Sequence, residues 1–204
     1  MRLGLFGGSF DPVHTGHLVL ADSCAGQAAL DEVWFVPAAR QPLKPSGPQA
    51  SDALRLAMLR LALADRPRFE VSELEIERGG MSYTVDTLAE VHAQLPGAQL
   101  YFLMGADSLA EFLQWHRPEE ICALATPLVV RRAGSPAPDL DIFGKLVSAE
   151  RLDAIRHSQV EMPAVPISSS QIRQLIAAGG DWKDLLPVAV AEYIRAEGLY
   201  LESR

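Results

Sequence analysis

A glycine pair near the start of the chain separates a short apolar run from a helical pattern. Residues 3–6, Leu-Gly-Leu-Phe, are typical of a buried strand, and the residues from Leu18 onward are typical of a helix. Gly7 and Gly8 permit a tight bend and a close approach of the backbone to a ligand. Unpaired N–H groups at the start of the helix, together with its dipole, favour an anion there. The segment therefore predicts a phosphate-binding turn between a strand and a helix.

Two histidines follow this turn. His14 and His17 are three residues apart, so on a helix they share one face, from which both imidazoles can donate to phosphate oxygens. A surface pair without a function is one alternative, and a zinc site is another. Neither Cys24 nor Cys122 stands at ligand spacing from the pair, and Asp11 is the only acid nearby. We therefore expect phosphate ligands and no protein-bound metal.

A second candidate anion site lies in the last quarter of the sequence. Residues 167–173, Ile-Ser-Ser-Ser-Gln-Ile-Arg, follow two prolines and open a helical pattern that runs through Ala178 and ends at Gly179-Gly180. The serines could simply cap this helix. Arg173 falls one turn inside the helix start, from where its guanidinium can reach the same anion as the cap.

Strand and helix patterns alternate along the chain. This alternation predicts an α/β fold with a mostly parallel sheet covered by helices on both faces. Ligands of such sheets bind at the carboxyl ends of the strands, where the glycine turn is expected. The predicted strands are residues 2–6, 32–36, 69–76, 99–104, 128–131 and 159–162. The predicted helices are residues 17–28, 52–64, 85–94, 109–113, 149–156, 171–178 and, with a proline at its start, 186–195.

Further polar and aromatic residues indicate a second ligand beside the first. Residues 79–88 form a turn that enters a helix, with Ser82 or Thr84 as N-cap, and this start offers backbone donors to a second anion. Asp107 follows an apolar strand and could bind a ribose hydroxyl. Trp115 could stack on a flat heteroaromatic ring, although packing in the core is an equally weighted alternative.

Composition limits the class of protein. With 204 residues, of which 49% are hydrophobic, the chain can bury a sizeable core, and we expect residues 1–204 to form a single domain. A formal net charge of −8 argues against a general nucleic-acid surface. The sequence shows two cysteines, no signal peptide and no apolar run of membrane-spanning length, so we expect a cytoplasmic protein.

Several of these segments resemble known motifs. Residues 7–17 resemble the G-S-F-D-P-x-H-x-G-H signature of the nucleotidyltransferase superfamily. Residues 167–173 resemble its I-S-S-T-x-I-R motif, with Ser170 in place of the usual threonine. Together with residues 82–88, 105–108 and 115–120, they resemble the bacterial nicotinate-nucleotide adenylyltransferases over nearly the whole chain. One departure is Leu43-Lys44, where that family commonly has Pro-His-Lys.

The resemblance implies a Rossmann-like nucleotidyltransferase fold and a reaction of ATP with nicotinate mononucleotide that gives deamido-NAD and pyrophosphate. Mg²⁺ would be bound with ATP, and the sequence leaves a homo-oligomer open. The implied catalytic residues are His14, His17 and Arg173. The implied ATP-binding residues are Gly8, Ser9, Phe10, His14, His17, Ile167, Ser168, Ser169, Ser170 and Arg173. The implied residues for the nicotinate nucleotide are Lys44, Tyr83, Thr84, Asp107 and Trp115.

Two other classes share part of this pattern. A phosphopantetheine adenylyltransferase or a cytidylyltransferase shares the first motif, but would not be expected to carry residues 82–88 and the Trp115 segment. A regulatory nucleotide-binding protein could keep the phosphate turn without turnover. The presence of His14, His17 and Arg173 together argues against that second alternative.

Overall fold

The computed structural model describes residues 1–43 and 47–201, in which strands and helices alternate as expected. The strands are β1 (Arg2–Gly8), β2 (Glu32–Pro37), β3 (Phe69–Val71), β4 (Gln99–Gly105), β5 (Thr126–Arg132) and β6 (Val160–Met162). The α-helices are α1 (Thr15–Gln27), α2 (Asp52–Leu63), α3 (Leu74–Arg78), α4 (Thr84–Gln94), α5 (Pro118–Leu124), α6 (Ala149–His157), α7 (Ser169–Ala177) and α8 (Val188–Glu197). Short 3₁₀ helices span Ala106–Gln114, Leu140–Lys145 and Lys183–Leu185.

The six strands form one parallel sheet in the order β3-β2-β1-β4-β5-β6. This order is that of a doubly wound Rossmann-like fold, and it reverses direction between β1 and β4. In the register of β1, Leu5 lies beside Trp34 of β2 on one side and Phe102 of β4 on the other. The predicted α/β class is therefore confirmed, and the sheet opens a crevice where β1 and β4 end.

Each face of the sheet carries its own apolar core. Alternate residues of a strand point to opposite faces, so in β4 Leu103 joins one cluster while Phe102 and Met104 join the other. Helices α1, α2, α7 and α8 cover the first face, and α4, α5 and α6 cover the second. Helix α8 buries Val190 and Ile194, as its predicted amphipathic pattern requires.

Three parts of the predicted secondary structure are wrong. Gly7 and Gly8, predicted as a turn, are the last two residues of β1 and pair with Val36 and Pro37 of β2, so the turn begins only at Ser9. The third strand ends at Val71, and residues 74–76, which alternate in hydrophobicity like a strand, begin α3 instead. Only three residues of that strand find a partner in β2, and Glu75 is buried in the helix, where it accepts a hydrogen bond from Thr87 Oγ1 at 2.6 Å. Helix α5 was not predicted, although Pro118 stands at its first turn.

Among residues 1–43 and 47–201, none of the helices combines the length and the apolar character needed to cross a membrane.

Candidate active site

A cavity of about 1120 Å³ lies at the crevice where the strand order reverses. It is lined by the ends of β1, β4 and β5 and by the starts of α1, α4 and α7. The sequence-predicted residues that line it are Gly8, Ser9, Phe10, His14, His17, Tyr83, Thr84, Asp107, Trp115, Ile167, Ser168, Ser169, Ser170 and Arg173. Lys44 lies outside the described residues. The fold thus brings both predicted ligand regions to one cavity.

The turn after β1 is held by the side chain of Phe10. Its backbone has φ 47°, and its ring is 1% exposed, in edge contact with Phe6 at 5.4 Å between centroids. A Cβ on Gly8 would lie 3.0 Å from this ring, so the glycine leaves the room that the ring needs. Phe10 therefore anchors the turn in the core, and its side chain is not the part that can meet a ligand.

The buried side chain of Arg55, in α2, supports the same turn through hydrogen bonds. The side chain is completely buried, and its guanidinium donates to Ser9 O and Ala38 O, each at 2.7 Å, and to Asp52 Oδ1 at 2.6 Å. In a trans peptide the N–H points opposite to the C=O. Because the Ser9 carbonyl points toward Arg55, the N–H of Phe10 points away from Arg55. Nothing in the local sequence pattern singled out Arg55.

The rings of His14 and His17 are in contact, but the prediction that both lie on one face of a helix is wrong, because only His17 belongs to α1. His14 has an extended backbone and is the N-cap of α1, whereas His17 lies in the first turn. Their rings stack with centroids 3.7 Å apart, and a Cβ on Gly16 would lie 3.0 Å from His14 Nδ1. The His14 N–H donates to His17 Nδ1 at 3.2 Å, so the proton of neutral His17 is on Nε2. His17 Nε2–H is thus a donor.

His14 is a neutral side chain at pH 7. Burial, and to a lesser extent the positive charge of Arg132, lower its pKa from 6.5 to about 4. Its buried Nδ1 has no hydrogen-bond partner among the residues that the structure describes. His14 lines the cavity, and a neutral imidazole there can donate to an anion without the desolvation cost of an imidazolium.

This lowered pKa predicts a loss of stability in mild acid. Between pH 6.5 and 4 the unfolded chain binds a proton at His14 that the folded protein excludes, so stability falls as pH falls. The effect of this one residue is on the order of 3 kcal/mol. Urea unfolding at pH 7 and pH 4.5 should show a smaller pH difference for His14→Gln than for the wild type. His157→Gln, an exposed control, should keep the full difference; equal curves for all three proteins would contradict the assignment.

Helix α7 faces the glycine turn through its serines. Ser168 is the N-cap and accepts from Gln171 N–H at 3.3 Å, as the capping alternative requires. Ser169 Oγ donates to Pro12 O at 2.9 Å and ties the helix to the turn. Arg173 donates through Nη1 to Asp11 O at 2.6 Å and through Nη2 to Ser170 Oγ at 3.4 Å. The guanidinium therefore lies at the cavity beside the β1–α1 turn.

The opposite end of the cavity is aromatic. Tyr83, and neither Ser82 nor Thr84, is the N-cap residue of α4. Its ring contacts that of His116 at 4.5 Å between centroids, a partner that the sequence did not predict. The Ser82 hydroxyl accepts from Ala39 N–H at 3.0 Å instead of capping the helix. Thr84 begins α4, and the first intrahelical bond is donated by the N–H group two residues after it.

Trp115 and Asp107 each have a structural partner as well as a face on the cavity. The Trp115 ring packs against the rings of Phe102 and Phe112, with centroids 5.5 and 5.3 Å away. Trp115 therefore packs in the core, as the alternative interpretation predicted, and also lines the cavity. Its buried Nε1–H has no hydrogen-bond partner within the described residues. Asp107 Oδ2 lies 2.8 Å from Nη1 of Arg132, which stands at the end of β5 and which no sequence pattern indicated.

Within residues 1–43 and 47–201, no group of three or more His, Cys, Asp or Glu side chains is arranged to hold a metal ion.

Comparison with known proteins places these features in a family. Residues 5–175 match the cytidylyltransferase-like family. A protein of Rhodopirellula baltica named probable nicotinate-nucleotide adenylyltransferase is 42% identical over 97% of this chain and 92% of its own length. A protein of the same name from a Synechococcus strain is 42% identical and covers 98% of each chain.

Solved structures share the fold at lower sequence identity. The Plasmodium falciparum nicotinic acid mononucleotide adenylyltransferase complexed with NaAD aligns with a TM-score of 0.74 at 19% identity, over 98% of this chain and 97% of that chain. The same Plasmodium falciparum enzyme complexed with APC aligns with a TM-score of 0.73 at 19% identity, over 98% of this chain and 96% of that chain. With its glycine turn, stacked histidines and full-length similarity to these relatives, the chain belongs to the nicotinate-nucleotide adenylyltransferases of the cytidylyltransferase-like family.

Proposed function

We propose that the protein transfers the adenylyl group of ATP to nicotinate mononucleotide, releasing pyrophosphate and forming deamido-NAD. The observation that carries this proposal is that stacked His14 and His17 share one cavity with Arg173 and with the aromatic end at Tyr83 and Trp115. One end offers donors to phosphates, and the other offers flat surfaces to a ring. The cavity can thus hold the two nucleotides of the reaction together.

On the ATP side, we assign the backbone of Gly8, Ser9 and Phe10 to the phosphates. His14 and His17 donate from neutral rings to the α-phosphate, where charge develops as the bond to pyrophosphate breaks. Arg173 binds the leaving pyrophosphate, and Ile167 to Ser170 border the adenosine. The acceptor's phosphate oxygen is already a charged nucleophile at neutral pH. Catalysis therefore requires alignment and charge stabilisation and no covalent intermediate.

On the acceptor side, we assign Tyr83 and Trp115 to the pyridine ring and the start of α4 at Thr84 to its carboxylate. We also assign Asp107 to the ribose of the acceptor. Its carboxylate would have to accept from the ribose hydroxyl and from Arg132 at once, since Arg132 Nη1 lies 2.8 Å from Asp107 Oδ2. Lys44 stays a proposed phosphate ligand. These assignments extend the sequence-based predictions to the arrangement of the cavity.

Mg²⁺ is proposed to enter with ATP, bound by phosphate oxygens and water, which it prefers. The donors at the ATP end support this: they are imidazoles, backbone N–H groups and a guanidinium, which suit phosphate oxygens and not the metal. The carboxylate of Asp11 accepts hydrogen bonds from two backbone N–H groups and Tyr200. The protein residues would thus hold the nucleotide, and the metal ion would neutralise part of its charge.

We also propose that residues 1–204 form one nucleotidyltransferase domain, since the N-terminal turn and α7 contribute to one cavity. A net charge of −8 supports small nucleotides and not nucleic acid as the ligands. The cytoplasm is the proposed site of action because ATP is available there.

The direct test is pyrophosphate release from ATP and Mg²⁺ with three acceptors in parallel: nicotinate mononucleotide, nicotinamide mononucleotide and phosphopantetheine. We expect turnover to be fastest with nicotinate mononucleotide. Faster release with phosphopantetheine would refute the proposed acceptor, and no release with any of the three would refute the proposed reaction.

Arg173→Ala is expected to weaken ATP binding far more than binding of nicotinate mononucleotide. A charge-assisted hydrogen bond contributes about 1.5–3 kcal/mol, which corresponds to roughly 10- to 150-fold in the Kd of ATP. Arg173→Lys should restore binding only in part, because an ammonium lacks the planar fork. Calorimetric titrations of each nucleotide measure both constants; equal losses for the two would contradict the placement of Arg173 on the ATP side.

A further inference from the structure

Asp11 of the glycine turn is a buried carboxylate with several donors. It is 2% exposed, and its Oδ2 accepts from Gln49 N–H at 2.7 Å. Its Oδ1 accepts from Ala50 N–H at 3.1 Å and from the Tyr200 hydroxyl at 2.7 Å. Three neutral donors from two distant segments of the chain therefore satisfy this charge.

Arg173 lies beside this carboxylate without a hydrogen bond to it. Nη1 is 3.6 Å from Asp11 Oδ2, whereas the same nitrogen is 2.6 Å from the Asp11 carbonyl oxygen. A carboxylate with fewer donors would draw the guanidinium into a short, bidentate pair. The neutral donors on Asp11 thus compete with Arg173 for its oxygens, and the guanidinium keeps donor capacity toward the cavity.

The position and burial of Tyr200 keep its hydroxyl a donor to Asp11. It follows α8, where Gly198 is the C-cap, and its own backbone is in the left-handed region with φ 63°. Its ring packs against the core cluster on the α1 and α8 face of the sheet. Burial, and next the bond to Asp11, raise the pKa of its hydroxyl, so the proton stays on the oxygen at any pH at which the protein works.

We propose that Tyr200 is a positioning residue for Arg173: by donating to Oδ1 of Asp11, its hydroxyl keeps the Arg173 guanidinium directed toward the phosphates of ATP. The proposal rests on the function proposed above. Loss of the hydroxyl would leave Oδ1 with the Ala50 amide alone. Both Asp11 oxygens would then be open to the guanidinium. Arg173 would form a bidentate pair with Asp11 and point away from the nucleotide.

Tyr200→Phe tests this, because it removes one oxygen and keeps the packed ring. We expect the Kd and the KM for ATP to rise roughly 10-fold, as for a lost hydrogen bond to a charged group. The KM for nicotinate mononucleotide should not change. Tyr193→Phe is the matched control, since it removes the same group from α8 where the ring also packs on the core. That variant should bind ATP like the wild type.

Combining the change with Arg173→Ala separates positioning from mere stability. If Tyr200 acts through Arg173, Tyr200→Phe adds no further weakening of ATP binding once Arg173 is absent. An unchanged Kd for ATP in Tyr200→Phe, whatever its melting temperature, would overturn the proposal, as would an equal loss in the Arg173→Ala background. ATP binding is measured by calorimetry without an acceptor, so absent pyrophosphate release in the wild type would refute the proposed function separately.

Discussion

His17→Ala is expected to lower kcat by roughly 10²-fold or more, the magnitude seen when one preorganised donor to developing charge is removed. His17 Nδ1 accepts the His14 N–H, and the proposed role of Nε2–H is to donate to the α-phosphate. Alanine removes this donor and also the ring on which His14 stacks. The measurement is steady-state pyrophosphate release with both substrates saturating.

Two further variants make the assignment of His17 specific. His17→Gln places an amide N–H near the position of Nε2, so it should retain part of the rate that alanine loses. His157→Ala removes an exposed histidine of α6 and should leave kcat unchanged. A folded His17→Ala protein that keeps most of the wild-type kcat would identify the residue as a packing partner of Phe10 and His14 and nothing more.

The second large effect concerns the choice of acceptor. We expect kcat/KM for nicotinate mononucleotide to exceed that for nicotinamide mononucleotide by a factor on the order of 10² or larger. In the proposed site, the carboxylate would accept from the N–H groups at the start of α4, whereas the amide would place its own NH₂ against them and carry no charge. Two contacts that each change by about 1–2 kcal/mol account for this ratio. Comparable kcat/KM values would contradict the proposed carboxylate site.

Thr84→Pro removes one backbone donor with little change to the helix. Proline is favoured at the first helical position, and the preceding Tyr83, with φ −101° and ψ 127°, has the extended backbone that precedes a proline. The variant should reduce the discrimination between the two acceptors, while Thr84→Ala, which keeps the N–H, should not. Trp115→Ala should reduce the use of both acceptors alike, because each carries the same ring.

Much of the fold was predictable because the sequences of buried parallel strands are continuous runs of apolar residues. The runs at residues 32–36 and 99–104 became β2 and β4 with their predicted starts, and their alternation with helices predicted the sheet. The run at residues 69–76 misled because a short alternating segment fits a strand or one turn of an amphipathic helix equally well. Helix α3 there is fixed by tertiary contacts of Glu75, which no local pattern reports.

The candidate site was predictable where its residues stand in one short segment, as His14 and His17 do. Arg55, Arg132 and Tyr200 were missed because each contributes through partners far away in the sequence. Arg55 contacts a carbonyl 46 positions earlier, and Tyr200 contacts Asp11 across 189 positions. A single arginine or tyrosine in a helical or apolar pattern indicates burial or exposure, but not which distant oxygen atom its side chain will contact.

The partners of Asp11 also set the order in which the site can be completed during synthesis. Its carboxylate is satisfied by donors 38, 39 and 189 residues further along the chain, and Arg173 donates to its carbonyl from 162 residues away. Closing such long loops costs conformational entropy before any contact compensates for it. A ribosome-bound chain that ends before residue 200 therefore carries both histidines, yet its Asp11 lacks the Tyr200 donor. The hydrogen bonds around Asp11 can thus be completed only after translation has passed residue 200, long after both histidines have been synthesised.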